Sequence, residues 1–354
     1  MNNKGIKNWI HRHEKIHYIL RCLCHFNDKS FVKDFNNPSE RNAKLFFLKT
    51  VSNGEKHQGK IIYKIEGWSS GFFSEFLYTL LDMWYADSMG MYPVVVWGEK
   101  CAYYEENGVN GVYNVWEYYF LQYMDLQISD YDSGYRVANS RKRVAIDAFG
   151  VKNMYRLTEN CAVELSQIYK KYIRLKPEIE GFIHESIKSL LGEVKKTLGV
   201  QIRMGGMLGN YNGHPIVPTL DEYVIEIRKI FNKSYDQIFL ATDDKRALER
   251  MKNEFGNKVI YYSDITRVDG VFSTYCIQTT DEFHYYKCGL EVLLDMYTLA
   301  RCEGLVAGIS NVNLIAQIVK ISWDRSYEDF VLVDKGININ NKKAPTAKEE
   351  QIIS

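Results

Sequence analysis

Apolar and polar residues along this chain alternate with two different periods, and the switches between them lay out its elements. Lys60–Trp68 reads KIIYKIEGW, a period-2 stretch with Ile61, Tyr63 and Ile65 on one side, which predicts a strand. WSSG breaks it. The run FFSEFLYTLLDMWYADSMG then puts Phe73, Phe76, Leu77, Leu80, Leu81 and Trp84 at helical spacing. Gly90 ends that helix, and Tyr92–Gly98 follows as a short buried strand, completing a β-α-β unit. The aromatic stretch CAYYEENGVNGVYNVWEYYF predicts a loop and a short helix. Tyr155 to Leu191 is mostly helical, with Pro177 in the first turn of its last helix, and suits a connector.

The second half alternates in the same way. TLGVQIRMGG predicts a strand ending in glycines. Leu220–Phe231 is an amphipathic helix with Tyr223, Ile227, Ile230 and Phe231 on one side, and Gln237–Asp244 is a buried strand running into a polar turn. Lys245–Phe255 is helical, KVIYYSD is a strand, Gly289–Cys302 is a helix, GLVAGIS is a strand, and NVNLIAQIV opens a further helix. Such alternation predicts an α/β fold with parallel sheets covered by helices. The expected division is 1–175, 176–335 and a loosely ordered polar tail, 336–354.

Composition narrows the classes. A chain of 354 residues suits two domains rather than one core. A net charge of +1, from 45 basic and 44 acidic residues, gives no sign of a nucleic-acid partner. The seven cysteines are odd in number and form no CxxC pair, which argues against a zinc knuckle or a disulfide framework. Reduced thiols in a cytoplasmic protein are the simplest account. The N-terminal stretch is basic, but Arg21 and His25 interrupt Ile16–Phe26, so no membrane span is expected and at most a peripheral contact with the inner membrane face. Tyrosine, at 26 residues, suits sugar stacking as well as core filling.

In open parallel sheets, ligands sit beyond the carboxyl ends of the strands. Three such ends carry polar or glycine-rich groups: Arg203–Gly206, Thr242–Asp244 and Gly308–Asn311. Arg203 follows an apolar strand and precedes Gly205 and Gly206, so it can grip a diphosphate with paired hydrogen bonds, or close the sheet edge on a surface carboxylate. Ser310 and Asn311 open a helix, where they serve as a cap alone or also form an anion site. Asp243 and Asp244 suit sugar hydroxyls or a helix cap. Asp295 lies within an apolar helix face and needs a partner, either a guanine edge or an internal arginine.

Taken in order, GVQIRMGG…GHPI…DEYV, FLATDD and EVLLDMYTLARCEGLVAGISNV resemble the three motifs of the α1,6-fucosyltransferase, nodulation-type fucosyltransferase and O-fucosyltransferase superfamily, across Gly199 to Gln317. The resemblance implies a GT-B-like architecture of two Rossmann-like domains facing a cleft, the first on the acceptor side and the second binding a GDP-sugar. It implies an inverting transfer of fucose from GDP-fucose, or a related GDP-sugar, to a glycan or polysaccharide acceptor, with no cofactor and no metal. By the same resemblance Gln201, Arg203, Gly205, Gly206, Asp243, Asp244, Asp295, Ser310 and Asn311 bind the donor. The acceptor side offers Gly71, Phe72, Glu75 and Glu105, with Trp68, Phe73, Trp97, Tyr103, Tyr104, Trp116 and Tyr118 as stacking surfaces.

One departure concerns catalysis. The loop MGGMLGNYNG holds no acid or lysine between Arg203 and His214, where relatives carry a carboxylate proposed as base. Arg203 and His214 are therefore the catalytic candidates, the histidine being the nearest group able to take a proton near neutrality. The competing expectations are another nucleotide sugar on the same fold, or a glycan-binding scaffold without catalysis. The oligomeric state is not legible in the chain.

Overall fold

The computed structural model describes residues 50–140, 153–192, 195–270, 272–277 and 279–346, together with residues 20, 23, 146, 151 and 349. The basic N-terminal stretch lies almost wholly outside them. Among the described residues no helix is long and apolar enough to cross a membrane. Cys101, Cys161, Cys276, Cys288 and Cys302 are buried thiols.

The described strands form two sheets. In the smaller, β1 (Ile62–Glu66) lies between β2 (Tyr92–Val96) and β3 (Val137–Asn139). β1 runs parallel to β3, with Ile62 opposite Val137. Ile62, Tyr63 and Ile65 are all buried, so this strand is covered on both faces, and the one-sided pattern expected through Ile61 understated its burial. Helix α1 (Phe72–Ser88) starts directly after Gly71 and buries Phe73, Phe76, Leu77, Leu80 and Leu81 as its spacing predicts.

Asp82 on α1 accepts a hydrogen bond of 2.8 Å from the Tyr63 hydroxyl. Burial pushes its carboxyl up to about 7 from an ordinary 3.8. Between those values the native state holds a proton that the unfolded chain releases, so stability falls as pH rises through the window. Asp82→Asn keeps an acceptor for Tyr63 and carries no charge. It is expected to be more stable than the parent at pH 8 by about 2–4 kcal/mol, and to lose the downward slope. Urea unfolding at pH 5 and pH 8 measures both effects, and an unchanged slope would place the titration elsewhere.

By contact density the chain separates into two compact units. One comprises Met1–Lys64, Leu81–Pro93 and Ser129–Lys152; the other comprises Ile65–Leu80, Val94–Ile128 and Asn153–Ser354. The second holds the larger sheet, of order β6-β5-β4-β7-β8, with every pairing parallel. Its strands are β4 (Thr197–Ile202), β5 (Gln237–Thr242), β6 (Val259–Ile260), β7 (Gly304–Gly308) and β8 (Asp329–Val333). Helices α6 (Leu220–Ser234), α7 (Lys245–Phe255), α8 (His284–Arg301) and α9 (Asn311–Ser322) alternate with them. In chain order this is 3-2-1-4-5, the Rossmann-like arrangement, and the strand order reverses between β4 and β7.

Local signals explain most of the boundaries. Thr219 and Glu222 form a reciprocal capping box at the start of α6. After the short helices α2 (Trp116–Tyr119) and α3 (Ile128–Asp132), the expected connector is two helices, α4 (Glu159–Tyr172) and α5 (Pro177–Leu191), because Lys176 before Pro177 is extended. α8 begins five residues before the expected Gly289, entered through Phe283 in the left-handed conformation. β6 is shorter than KVIYYSD because the chain leaves the sheet edge: the Tyr262 hydroxyl meets that of Thr298 at 2.9 Å, and Tyr261 lies under Arg267. β4, β5 and β7 have no exposed residue, and Val200, Ile202, Ile227, Leu240 and Val306 belong to the core beneath α6 and α7.

Candidate functional site

Within this second unit a cavity of about 270 Å³ opens at the carboxyl ends of β4, β5 and β7. Arg203, one residue beyond β4, donates from Nη1 to Asp243 Oδ2, and from Nη2 to the Ser273 hydroxyl at 3.3 Å. The other Asp243 oxygen accepts from the Met204 amide at 3.1 Å. One carboxylate thus orients the guanidinium and the first turn of the loop. A Cβ at Gly205 would stand 2.6 Å from Asp243 Oδ2 and 3.0 Å from the Phe272 carbonyl oxygen, so only glycine lets the loop pass this close. Gly206 has a φ of +70° and itself lines the cavity.

Beyond β7, Ser310 caps α9 by accepting from the Asn313 amide, and its hydroxyl donates to Gln201 Oε1 at 2.9 Å. Gln201 is buried and outside the cavity wall, so it acts by holding Ser310. Asn311, the first helical residue, lines the cavity; its side-chain Oδ1 is buried without a hydrogen-bond partner.

α8 supplies the acidic wall. Glu291 and Asp295, one helical turn apart, both face the cavity. Glu291 accepts from the Thr266 amide at 3.0 Å and from the Thr266 hydroxyl at 3.2 Å. Asp295 is only 9% exposed and receives no hydrogen bond from any described residue. Burial drives its carboxyl well above the usual range; Arg267 opposes that shift, while Glu291 and Asp243 add to it. Arg267 is close enough to interact electrostatically, yet its amino groups donate to the carbonyls of Ile265 (3.0 Å) and Tyr262 (2.9 Å). The internal arginine anticipated from the sequence is present as a neighbouring charge, and the acceptor capacity of Asp295 stays unmet.

The loop before α1 and the first turn of that helix form another wall, through Ser69, Ser70, Gly71, Phe72 and Phe73. Glu75, expected on the acceptor side, clamps this loop. Its carboxylate accepts from the Trp68 amide (2.8 Å), the Ser70 amide (2.9 Å) and the Ser70 hydroxyl (2.6 Å), and it is 1% exposed. Glu105 accepts from the Tyr286 amide at 2.8 Å in the first turn of α8 and is not in the cavity wall. Asp244 also lies outside the wall: fully buried, it caps α7 through the Arg246 and Ala247 amides and pairs with the Arg246 guanidinium. Of the aromatic candidates, Phe72, Phe73 and Tyr103 reach the cavity, whereas Trp97 and Trp116 are fully buried and pack edge to face.

His214 lines the cavity between Tyr155 and Tyr211, whose ring centres lie 6.2 and 5.7 Å from its own. Its segment is tied to the start of the polar tail. The Ile216 amide donates to Gly336 (2.9 Å), the Asn338 amide to His214 (2.8 Å) and the Asn212 amide to Lys342 (2.8 Å). Residues 336–342 are therefore a strap over this loop, and Ala344 and Pro345 beyond it reach the cavity. Tyr155, Tyr211, Thr266, Ser273, Glu291 and the strap escaped the sequence analysis. Only Glu291 carried a readable signal, its four-residue spacing from Asp295.

A parallel sheet of this order, with a polar cavity where the order reverses and an arginine–glycine loop at its rim, defines a Rossmann-like ligand-binding unit. No family model matches the chain, and no curated protein matches its sequence. Among solved structures it is similar to fucosyltransferase NodZ from Bradyrhizobium, at 17% identity over 73% of this chain and 92% of that one, with a TM-score of 0.46. It is similar to NodZ α-1,6-fucosyltransferase soaked with GDP-fucose at 16% identity, over 73% and 92% of the two chains and a TM-score of 0.47. A variant of Arabidopsis thaliana FUT1 in complex with GDP matches at 11% identity, over 86% and 77%, with a TM-score of 0.39.

Proposed function

We propose that this chain is an inverting glycosyltransferase that transfers fucose from GDP-fucose to a glycan or polysaccharide acceptor, working in the cytoplasm without a metal ion. The observation that carries the proposal is Asp295: a buried carboxylate in the cavity wall that no described residue hydrogen-bonds. A guanine presents N1–H and N2–H donors along one edge, the complement of a carboxylate, whereas uracil offers a single ring N–H between two carbonyls. Arg203 and the amino-terminal ends of α1 and α9 line the same cavity and together suit a diphosphate.

In the proposed reaction the acceptor oxygen attacks C1 of the sugar as the bond from C1 to the β-phosphate oxygen breaks. The electron pair leaves with GDP, and C1 inverts. Arg203 and the helix amides neutralise charge building on the leaving phosphate. Glu75 is committed to the loop and no acid lies between Arg203 and His214, so His214 is assigned the acceptor's proton.

Calorimetric titration with GDP and UDP, followed by a screen of GDP-fucose, GDP-mannose and UDP-sugars, tests the proposal. GDP is expected to bind at least about tenfold tighter than UDP, with GDP-fucose the donor that turns over. Equal affinity for the two nucleotides would remove the role given to Asp295. GDP binding without any release of GDP from GDP-fucose would leave a binding scaffold instead of an enzyme.

A further inference from the structure

We propose that a second groove in the same unit, at the amino-terminal ends of the strands, binds a multiply charged phosphate group. The groove has a volume of about 550 Å³ and is lined by Thr197 at the start of β4 and Glu303 just before β7, far along the strands from the cavity holding Arg203. Five cationic side chains line it: Arg174, Lys188, Lys195, Arg301 and Arg325. None has a carboxylate within 4 Å among the described residues. Cations nearby in sequence but outside the groove behave differently. Lys170 pairs with Asp324 at 3.3 Å, Lys176 with Glu178 at 3.1 Å and Lys196 with Glu328 at 2.6 Å.

Helix dipoles explain part of this charge. Lys188 and Arg301 sit in the last turns of α5 and α8, where a cation is favoured. Arg174 closes α4 in the same way, its Nη1 donating to the last-turn carbonyl of Lys170, whereas Lys195 and Arg325 lie outside the last turns of these helices. The carboxylates on the groove do not balance the cations either, since Glu180 and Glu303 are two against five.

The cations are also positioned. Arg301 stacks over the Trp323 ring at 4.5 Å, and Arg174 is anchored through Nη1 to the carbonyls of Ile173 (2.7 Å) and Lys170 (2.9 Å). Arg325 is near enough for its charge to act on the Arg301 guanidinium. Guanidinium forks match phosphate oxygens two by two, and one dianionic group would offset the repulsion between Arg301 and Arg325. A soluble phosphorylated compound and an anionic lipid headgroup share this chemistry.

The test titrates inorganic pyrophosphate into the full chain saturated with GDP, so that the donor cavity is filled. The comparison is the double variant Arg301→Gln, Arg325→Gln, whose altered side chains are exposed and whose melting temperature is expected to stay near the parent's. One pyrophosphate should bind the parent, and the variant should bind it about tenfold or more weakly with GDP affinity unchanged. If GDP does not bind, the same titration on Arg203→Ala reports the groove alone, so failure of the donor proposal is separable from failure of this one. Sedimentation with phosphatidylglycerol vesicles identifies the source: vesicle binding lost in the double variant assigns the groove to a lipid headgroup, and pyrophosphate binding without vesicle binding assigns it to a soluble ligand. No pyrophosphate binding at millimolar concentration, or equal binding by parent and variant, overturns the proposal.

Discussion

Arg203→Ala is expected to lower the rate of sugar transfer by about a hundred- to a thousand-fold, the usual cost of removing one preorganised donor to developing charge. The expectation rests on geometry: the guanidinium lines the cavity one residue beyond β4 and is held there by Asp243 and Ser273. Arg203→Lys keeps the charge but loses the fork, so it should recover only part of the rate. Removing the arginine also strips the partly buried Asp243 of its partner, which by itself destabilises the fold. The double variant Arg203→Ala, Asp243→Asn separates the two effects. It should melt closer to the parent than the single variant does, while remaining as inactive. Transfer at the parent rate by a folded Arg203→Ala protein would end the assignment.

Asp295→Asn is expected to move stability and binding in opposite directions. A carboxyl held above its usual pKa by burial costs the native state stability that grows as pH rises above the ordinary carboxylate range. Asparagine removes that cost, so the free protein should melt at a higher temperature than the parent at pH 8, with the gain vanishing near pH 4. The asparagine amide, however, turns a donor towards guanine's own donors. GDP affinity should fall by about ten- to a hundred-fold, with the GDP-to-UDP ratio moving towards one. Scanning calorimetry and nucleotide titration on one preparation check both halves. A destabilised variant that binds GDP normally would make Asp295 a structural partner of Arg267.

The two aspartates at the end of β5 show how far the sequence could be taken. FLATDD marks a strand running into a polar turn, and both residues qualified as ligands or caps. Adjacent residues leaving a strand point to opposite sides, so one of the pair turns to the cavity and the other to the helix amides. Which one does so depends on where α7 starts relative to the strand, and the structure gives the cap to Asp244 and the cavity to Asp243. Glu75 and Glu105 show a related limit. As isolated carboxylates they looked alike, but folding brings the Trp68 and Ser70 amides to Glu75 and the Tyr286 amide to one oxygen of Glu105.

Taken alone, the sequence determined the elements of the larger sheet, their parallel alternation, and the three strand ends where polar groups collect. Those are local properties: a period, a cap or a glycine acts within a few residues of itself, and Thr219, Asp244 and Ser310 cap the helices that follow them. The tertiary structure decided which polar groups share one cavity and which are already satisfied. Burial and hydrogen bonding of a side chain depend on segments distant in the chain: Ser273 and Asp243 on Arg203, Gln201 on Ser310, the 336–342 strap on the His214 loop. No periodicity records that Asp295 keeps an unmet acceptor while Glu75 does not, because the difference lies in what surrounds each carboxylate after the chain has closed around it.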